Sequence, residues 1–478
     1  MLFLRLTSLN RFSMKEFSQN EGEFNESVSR FEQMLKRKER YYFDRDDLED
    51  IVEFYINVNH HQKALKAIHF AEGQYPDTTF FTLRKSQLLS ANGQYDEALR
   101  LLIDLEIFEP GNPEVFVTRG SIYAMQSRPA EAIESYKSAL RIDKRLEEVY
   151  LFIAFEFQNM LKYGQAARYL RKCLKMNPDN ESALYEMSFC FDVTLKFEAG
   201  IKYFNEFIDD QPYNKTAWYT LGHLYSKSQD FEKAVEAFDF AIVIDEKFAA
   251  AWFNKANCLS ASEKYLEAIE CYKETFKLEE PDANTFLYIA ECYENLDNYN
   301  EALKYFKRSA EMDEFLSDAW VGIGVVLDYL DRTHEALPYI KNAINIDPTR
   351  GTYWFILGDL QLKMGFIEEG EESYRKVVEF EPENTEIWVF LTNVLLEKGD
   401  MKEANEIILE AIEVHPINAR IKYQQVEIDL HLGNQQEALI HAAEAFAYDY
   451  DLYEKIKDEL PKFAMNNEIR GLLEKFKN

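Results

Sequence analysis

The five tryptophans of this chain lie on one lattice, which constrains the fold more than any other feature of the sequence. Trp218, Trp252, Trp320, Trp354 and Trp388 are separated by 34, 68, 34 and 34 residues. A constant spacing of roughly 20 to 50 residues is typical of solenoids and propellers, in which each repeat is one supersecondary unit. The chain has 478 residues, beyond the roughly 300 at which a single core stops growing, so it needs a repeat array or several domains.

The lattice extends over residues 45–452 as twelve repeats of 34 residues without an insertion. Position 8 of a repeat is mostly small, position 24 is mostly large, and position 32 is Pro in seven repeats. Position 20 is always Ala or Gly. Its residues are Ala64, Ala98, Ala132, Ala166, Gly200, Ala234, Ala268, Ala302, Ala336, Gly370, Ala404 and Ala438.

This pattern predicts a pair of helices in each repeat. Positions 4, 7, 8 and 11 share one face of a first helix, and positions 20, 24 and 27 share one face of a second. Small residues at positions 8 and 20 allow the two helix axes to approach, and rings such as Trp218 and Phe238 fill the space around them. Pro at position 32 ends the second helix because it cannot continue one. We therefore predict an all-α fold of antiparallel helix pairs.

The repeat resembles the tetratricopeptide motif closely, and the resemblance covers all twelve repeats. It implies a right-handed superhelical α-solenoid whose first helices line a concave groove. Outside residues 45–452 we predict a poorly ordered tail over residues 1–23, an N-terminal capping helix over residues 24–44 and C-terminal capping helices over residues 453–478. In the capping helix Phe24, Val28, Phe31 and Leu35 share one face.

Two repeats depart from the pattern. Repeat 12 has Lys422, Gln425 and Asp429 where core residues are expected, which is common in terminal repeats because one of their faces meets solvent or a cap. Repeat 2 has Thr82 and Lys85 at such positions. Because repeat 2 is not terminal, its polarity has no explanation in the sequence.

The resemblance assigns the groove lining to positions 2, 5, 6, 9, 12 and 13. Position 5 is apolar or aromatic in eleven of the twelve repeats, and acidic residues dominate the other positions, opposed only by Arg84, Lys227, Lys363 and Arg420. These side chains either bind a partner or, equally, pack against the neighbouring helix or face solvent. The candidate groove residues for partner binding are Phe155, Tyr185, Glu186, Phe189, Asp192, Tyr219, Phe253 and Phe355.

Composition limits the partner. The formal net charge of −31 would repel a phosphate backbone, which argues against nucleic acid. The sequence contains no run of about 18 apolar residues, so we predict no membrane insertion. The expected ligand is a protein or peptide with apolar anchors and Lys or Arg between them. Five cysteines without a C-x-x-C pair are typical of a reducing compartment, and we predict a cytoplasmic location.

Motifs for chemistry are missing from the sequence. The histidines lack metal-ligand spacing, and Gly322 and Gly324 imitate a dinucleotide-binding motif inside a predicted helix. Cys190, Cys258 and Cys292 share position 10 of their repeats and are expected in the core. We predict no catalytic residue, no metal site and no cofactor.

The leading hypothesis is therefore a non-enzymatic interaction scaffold or adaptor that binds a partner peptide or helix in the groove. The alternative is an assembly subunit that self-associates, or joins a larger complex, through its convex face or its ends. An enzyme is the weakest hypothesis, because the repeats leave too little chain for a catalytic domain.

Overall fold

The computed structural model describes residues 21–76 and 78–477, and over that part of the chain it contains 28 α-helices and no strand. This confirms the predicted all-α class. Of the tail predicted for residues 1–23, residues 1–20 lie outside the described residues. The chain folds as two compact bodies, an N-terminal body of residues 1–244 and a C-terminal body of residues 245–478.

The N-terminal body holds thirteen of the described helices. In chain order they are α1 (Glu21–Arg37), α2 (Arg45–Asn57), α3 (His61–Gln74), α4 (Thr79–Ala91), α5 (Tyr95–Phe108), α6 (Pro113–Met125), α7 (Pro129–Ile142), α8 (Glu147–Asn159), α9 (Tyr163–Met176), α10 (Glu181–Val193), α11 (Phe197–Asp210), α12 (Lys215–Lys227) and α13 (Phe231–Ile244). From α2 onward the helices form packed pairs that begin on the predicted lattice.

The C-terminal body continues the same series of pairs and ends in three short helices. They are α14 (Ala249–Ala261), α15 (Tyr265–Thr275), α16 (Ala283–Asn295), α17 (Tyr299–Met312), α18 (Ser317–Tyr329), α19 (Thr333–Ile346), α20 (Gly351–Lys363), α21 (Ile367–Phe380), α22 (Thr385–Lys398), α23 (Met401–Val414), α24 (Ala419–Leu432), α25 (Gln435–Tyr448), α26 (Tyr450–Ile456), α27 (Pro461–Met465) and α28 (Asn467–Lys477). Gly322 and Gly324 lie inside α18, as predicted.

In the repeats that have glycine at position 8, this residue faces the large residue at position 24. A methyl group placed on Gly222 would lie 2.8 Å from the ring of Phe238, and one on Gly358 would lie 2.6 Å from the ring of Tyr374. Both distances are shorter than van der Waals contact, so only glycine allows these rings to pack against the first helix. The cysteines are all buried in the cores of the repeats.

Each of the five tryptophans joins its own helix pair to the preceding turn. The indole N–H of Trp218 donates to the carbonyl of Pro212 at 2.9 Å, and Trp354 and Trp388 bond to Pro348 and Pro382 in the same way. Four of the five rings are half-buried, and Trp388 is fully buried. The side chain therefore fixes the inter-repeat turn with a hydrogen bond six residues back, in addition to its apolar packing.

The turn between the two helices of each repeat has a left-handed residue at position 15. Four repeats use glycine there, but the other eight use residues such as Leu161, Leu195 and Glu263, with φ of 58°, 53° and 61°. Non-glycine residues in this conformation are disfavoured by about 1–2 kcal/mol. The packing of the two helices therefore imposes the turn whatever the local sequence prefers.

Helix α1 covers the first repeat with an apolar face that differs by one residue from the predicted one. Phe31 is fully buried against Phe43 and Phe70, with ring centroids 5.8 Å away in both cases. Met34 is buried beside them, whereas Leu35 is 40% exposed. The prediction that Leu35 packs inward is wrong, because the helix is rotated so that Met34 faces the core instead. The side chain of Phe24 lies outside the described residues.

The polar residues of repeat 12 are explained by partners on its own second helix and in the segment that follows it. Lys422 pairs with Glu444 at 2.9 Å, and Asp429 bonds to His441 Nδ1 at 2.7 Å. The buried carboxylate of Glu427 accepts the backbone N–H groups of Lys462 at 2.9 Å and of Phe463 at 2.8 Å. Polar side chains at core positions are thus satisfied by partners, as burial requires.

The unexplained polarity of repeat 2 is partly resolved by an ion pair between repeats. Lys85 lies 3.0 Å from Glu72 of the preceding repeat, and Arg119 of repeat 3 pairs with Glu106 at the equivalent positions. Charged partners therefore replace an apolar contact at two successive junctions. Nothing in the structure explains Thr82.

Candidate protein-interaction surfaces

The N-terminal body presents an exposed apolar stripe on α10. Tyr185, Phe189 and Val193 follow one another at intervals of four residues, so they share one helix face. Their exposed fractions are 39%, 47% and 44%. Two of them were predicted partner-binding residues, whereas Val193, although it stands at groove position 13, was not among them. We call these three residues the α10 stripe.

Neighbouring rings support the stripe from both sides. The ring of Phe189 makes an edge contact with Tyr163 at a centroid distance of 6.2 Å, and Tyr185 makes one with Tyr219 at 5.9 Å. Tyr219 is half-buried and also packs against Phe238 of its own repeat. Partial burial, with smaller contributions from Tyr219 and Glu181, raises the pKa of Tyr185 to about 12, so its hydroxyl is neutral at physiological pH.

The predicted acidic residues beside the stripe already have polar neighbours. Glu186 accepts a hydrogen bond of 2.8 Å from the amide of Gln158. Asp192 lies 3.8 Å from Nε2 of His223. Partial burial lowers the pKa of His223 despite the opposing effect of Asp192, so this histidine does not cancel the aspartate charge at neutral pH. Both carboxylates thus lie beside the stripe and add negative charge there.

The other predicted aromatic residues pack more extensively. Phe155 is half-buried at the edge of the N-terminal core. In the C-terminal body, Phe253 contacts Tyr272 and Tyr288 at ring distances of 5.7 and 5.8 Å, and Phe355 stacks on Tyr374 at 5.6 Å. These rings form part of a packed aromatic layer and expose only part of their surface.

Position 5 is not a continuous exposed stripe. Leu83, Leu151, Leu287, Val389 and Tyr423 all stand at this position and are buried. For these residues the second interpretation of the sequence, packing against the neighbouring helix, is the one observed. Among the described position 5 residues only Tyr185 is classed as exposed.

Most of the basic residues at groove positions are neutralised by acidic neighbours. Arg84 lies 2.6 Å from Glu53 and 2.5 Å from Glu114, so it bridges three consecutive first helices. Lys363 pairs with Asp328 at 2.8 Å. Arg420, the third such residue, pairs with acids on both sides. Each pair also engages an acid, so the negative charge of the groove positions comes from the carboxylates outside these pairs.

Several groove carboxylates lie where burial disfavours their charged form. Burial is the largest cause that raises the pKa of Asp50, Glu148, Glu294 and Asp359. Glu291 is the strongest case, with a pKa raised to about 7 by burial and, to a smaller degree, by the charges of Glu294 and Asp318. A bound cation would relieve this unfavourable crowding of negative charge.

Glu291 and Glu294 line an open cleft of about 400 Å³ in the C-terminal body. Asn295, Asp297, Tyr299 and Tyr329 complete its wall, and we call it the tyrosine cleft. The two acids stand at groove positions 9 and 12 and could be found from the sequence. The ring of Tyr299 could not, because it belongs to a second helix, to which the repeat pattern assigns no groove residue.

Other kinds of site are not seen in the described residues. Residues 21–76 and 78–477 contain no group of three or more His, Cys, Asp or Glu side chains placed to hold a metal ion. Over the same residues, each helix is too short or too polar to cross a lipid bilayer.

Comparison with known families agrees with the geometry. Two family models, both described as Tetratricopeptide repeat, match the chain. The first matches residues 83–145 and 219–275. The second matches residues 147–180, 284–315, 317–350 and 351–384. Together these ranges cover more than half of the chain. The chain belongs to the tetratricopeptide repeat family. Membership of this family supports a general role as a protein-interaction scaffold.

Solved tetratricopeptide repeat structures are similar at low sequence identity. One is YrrB, described as a TPR protein with an unusual peptide-binding site, at 20% identity over 38% of this chain and 93% of that one, with a TM-score of 0.33. Another is the APC/C hetero-tetramer Cut9–Hcn1, at 15% identity over 85% and 93%, with a TM-score of 0.39. A third is the C-terminal part of a TPR repeat-containing protein from Cytophaga hutchinsonii, at 16% identity over 49% and 96%, with a TM-score of 0.43. No curated protein sequence matches this chain.

Proposed function

We propose that this tetratricopeptide repeat protein is a non-enzymatic scaffold that binds a segment of a partner protein at the groove positions of its first helices. The α10 stripe is the observation that carries the proposal. Three apolar side chains on one helix face, each more than a third exposed, leave apolar surface that a partner would remove from water.

The charges beside the stripe support a basic partner. Glu186 and Asp192 flank the exposed rings, and the chain as a whole carries a net charge of −31. Apolar anchors provide most of the affinity of such complexes, whereas charges at the rim set the association rate and the choice of partner. We therefore propose a partner segment with apolar anchors and interspersed Lys or Arg. Phe155, Tyr219, Phe253 and Phe355 would contribute their exposed edges at other repeats.

The test is affinity capture from the native host with the wild-type chain and with the double variant Tyr185→Ala/Phe189→Ala. Loss of two aromatic anchors is expected to weaken a groove partner at least about tenfold, measured as the dissociation constant of the purified complex. The matched control is Tyr42→Ala/Tyr213→Ala, which removes two rings that are 69% and 86% exposed elsewhere on the N-terminal body. Equal loss in both double variants would contradict binding at the stripe.

The alternative is self-association, or assembly into a larger complex, through the outer faces or ends. Ile103, Ile107 and Phe108 favour it, because they expose an apolar patch on the second helix α5, with exposed fractions of 53%, 73% and 78%. Light scattering of the purified chain distinguishes groove binding from assembly. A stable dimer that is lost in the Ile107→Asp variant would support assembly through α5.

A further inference from the structure

We infer that the tyrosine cleft binds the guanidinium group of an arginine in a basic protein segment. This deepens the proposed function and rests on it, because Glu291, Glu294 and Tyr329 stand at groove positions, but the cleft lies in the C-terminal body and shares no residue with the α10 stripe. The inference combines a cavity, an aromatic wall and a local excess of negative charge.

The aromatic wall is a stacked pair of rings. Tyr299 and Tyr329 lie with centroids 4.9 Å apart and ring planes inclined by 14°. The hydroxyl of Tyr299 donates to Asp297 at 2.7 Å, which fixes the orientation of that ring. Tyr329 remains 58% exposed, so the pair offers ring surface to a ligand. A flat cation can lie against such a surface and gain a cation–π interaction.

The carboxylates of the cleft are not neutralised by the protein. Glu291 and Glu294 are neighbours on α16 and face the cleft together. No lysine or arginine in the described part of the chain forms an ion pair with either of them. On the preceding first helix α14, the groove residues Phe253, Asn257 and Ser260 are uncharged.

Two cations of the following repeats are engaged elsewhere. Arg350 pairs with Asp318 and Lys363 pairs with Asp328, each at 2.8 Å, so both are held by acids of α18. Asp318 adds to the negative potential at Glu291. The charge of the cleft is therefore complementary to a cation supplied by a partner.

Arginine fits this lining better than lysine does. A guanidinium group is planar, so it can lie on the Tyr299–Tyr329 wall and present its N–H edge to Glu291 and Glu294 at the same time. A lysine ammonium is a compact and strongly hydrated charge that can satisfy the carboxylates but has no face to stack. The cleft volume of about 400 Å³ is large enough for one such side chain.

The experiment measures binding of a fluorescein-labelled peptide with four arginines separated by glycines to the full chain, by fluorescence anisotropy at about 150 mM salt. In two matched control peptides, the four arginines are replaced by lysine or by citrulline. We expect the arginine peptide to bind at least about threefold more tightly than the lysine peptide and the citrulline peptide not to bind. Lysine binding as tightly as arginine would overturn the inference.

Three variants separate the cleft from the general acidity of the chain. Glu291→Gln/Glu294→Gln is expected to weaken arginine-peptide binding at least about tenfold, and Tyr329→Leu about threefold. The control Glu270→Gln/Glu372→Gln removes the same charge from exposed sites on second helices and is expected to change binding less than about twofold. If the two double variants weaken binding equally, the peptide senses only the overall field, and the inference fails.

The pH dependence gives an independent readout. Since a bound guanidinium requires an ionised Glu291, wild-type affinity is expected to rise between pH 6 and pH 8, and this rise is expected to disappear in Glu291→Gln. A pH profile unchanged by that substitution would count against the cleft. Tyr185→Ala/Phe189→Ala is expected to leave arginine-peptide binding intact, so failure of the α10 stripe and failure of the cleft can be told apart.

Discussion

Residue pairs at fixed repeat positions determine how closely the two helices of each repeat approach. Gly222 and Phe238 are one such pair, and Gly358 and Tyr374 are another. In both, the ring lies over the glycine backbone so closely that any side chain would displace it. The small residues at position 8 are therefore required by the ring opposite, and the helix tolerates the poor helix propensity of glycine because the packing compensates for it.

We predict that Gly222→Val destabilises the protein by about 1–3 kcal/mol, because its branched side chain must displace the ring of Phe238 from a close-packed core. Chemical denaturation followed by circular dichroism measures the change as a lower midpoint. The matched control is Gly164→Ala, since nothing lies within 4 Å of the added methyl group there. That variant is expected to be neutral or to stabilise by up to about 1 kcal/mol. A similar loss in both variants would refute the packing argument.

The turn inside each repeat shows, at the scale of the element, how tertiary packing overrides local preference. Leu161 and Leu195 adopt left-handed conformations that favour glycine, and both are about three-quarters exposed. The two helices that each turn joins are long enough, and packed well enough, to impose the conformation on a residue that disfavours it. The turn residue is consequently left-handed in every repeat, with φ of 53–63° where it is not glycine and 79–90° where it is.

Leu195→Gly is expected to stabilise the protein by up to about 1 kcal/mol. Relief of about 1–2 kcal/mol of left-handed strain is partly offset by the greater freedom of glycine in the unfolded chain. The opposite change, Gly399→Leu at φ 90°, is expected to destabilise by about 1–2 kcal/mol. Both changes in stability are measured as shifts of the denaturation midpoint. A shift of the same sign in the two variants would show that backbone strain is not the cause.

At the scale of the whole molecule, the negative charge affects the association rate of partner proteins. A net charge of −31 produces a long-range field that attracts basic proteins. The ion pairs of Arg84, Lys363 and Arg420 leave that charge unchanged, because they join cations and acids that are already counted in it. The field raises association rates but does not choose a site. Site choice depends on local features such as the α10 stripe and the tyrosine cleft.

We therefore predict that Glu186→Lys/Asp192→Lys slows association with a captured basic partner about tenfold at low salt. The difference is expected to shrink as the Debye length falls to about 3 Å near 1 M salt. Stopped-flow measurements across a salt series test this. The control Asp104→Lys/Asp209→Lys reverses two exposed acids on second helices and is expected to have a smaller effect. Association that ignores both salt and Glu186 would exclude electrostatic steering at this site.

The sequence by itself was sufficient for the repeat length, the helix pairs and the small-to-large contacts, because each depends on residue types at fixed spacings. It also identified Tyr185, Phe189, Glu291 and Glu294 as residues at groove positions. What it could not supply was exposure. Tyr185 and Tyr423 both occupy position 5, yet the first is 39% exposed and the second is fully buried.

The tertiary structure decides that difference, because exposure depends on what packs next to a residue rather than on its place in the repeat. Tyr423 lies among three rings, with centroid distances of 6.0, 6.2 and 5.7 Å to Phe446, Tyr453 and Phe463. Tyr185 makes an edge contact with Tyr219 at 5.9 Å and stays partly exposed. In the same way, the stacking of Tyr299 on Tyr329 joins residues from two repeats, and the ion pairs of Arg84 join three. Periodicity determines which residues can be neighbours, and packing between repeats determines which of them remain open to a partner.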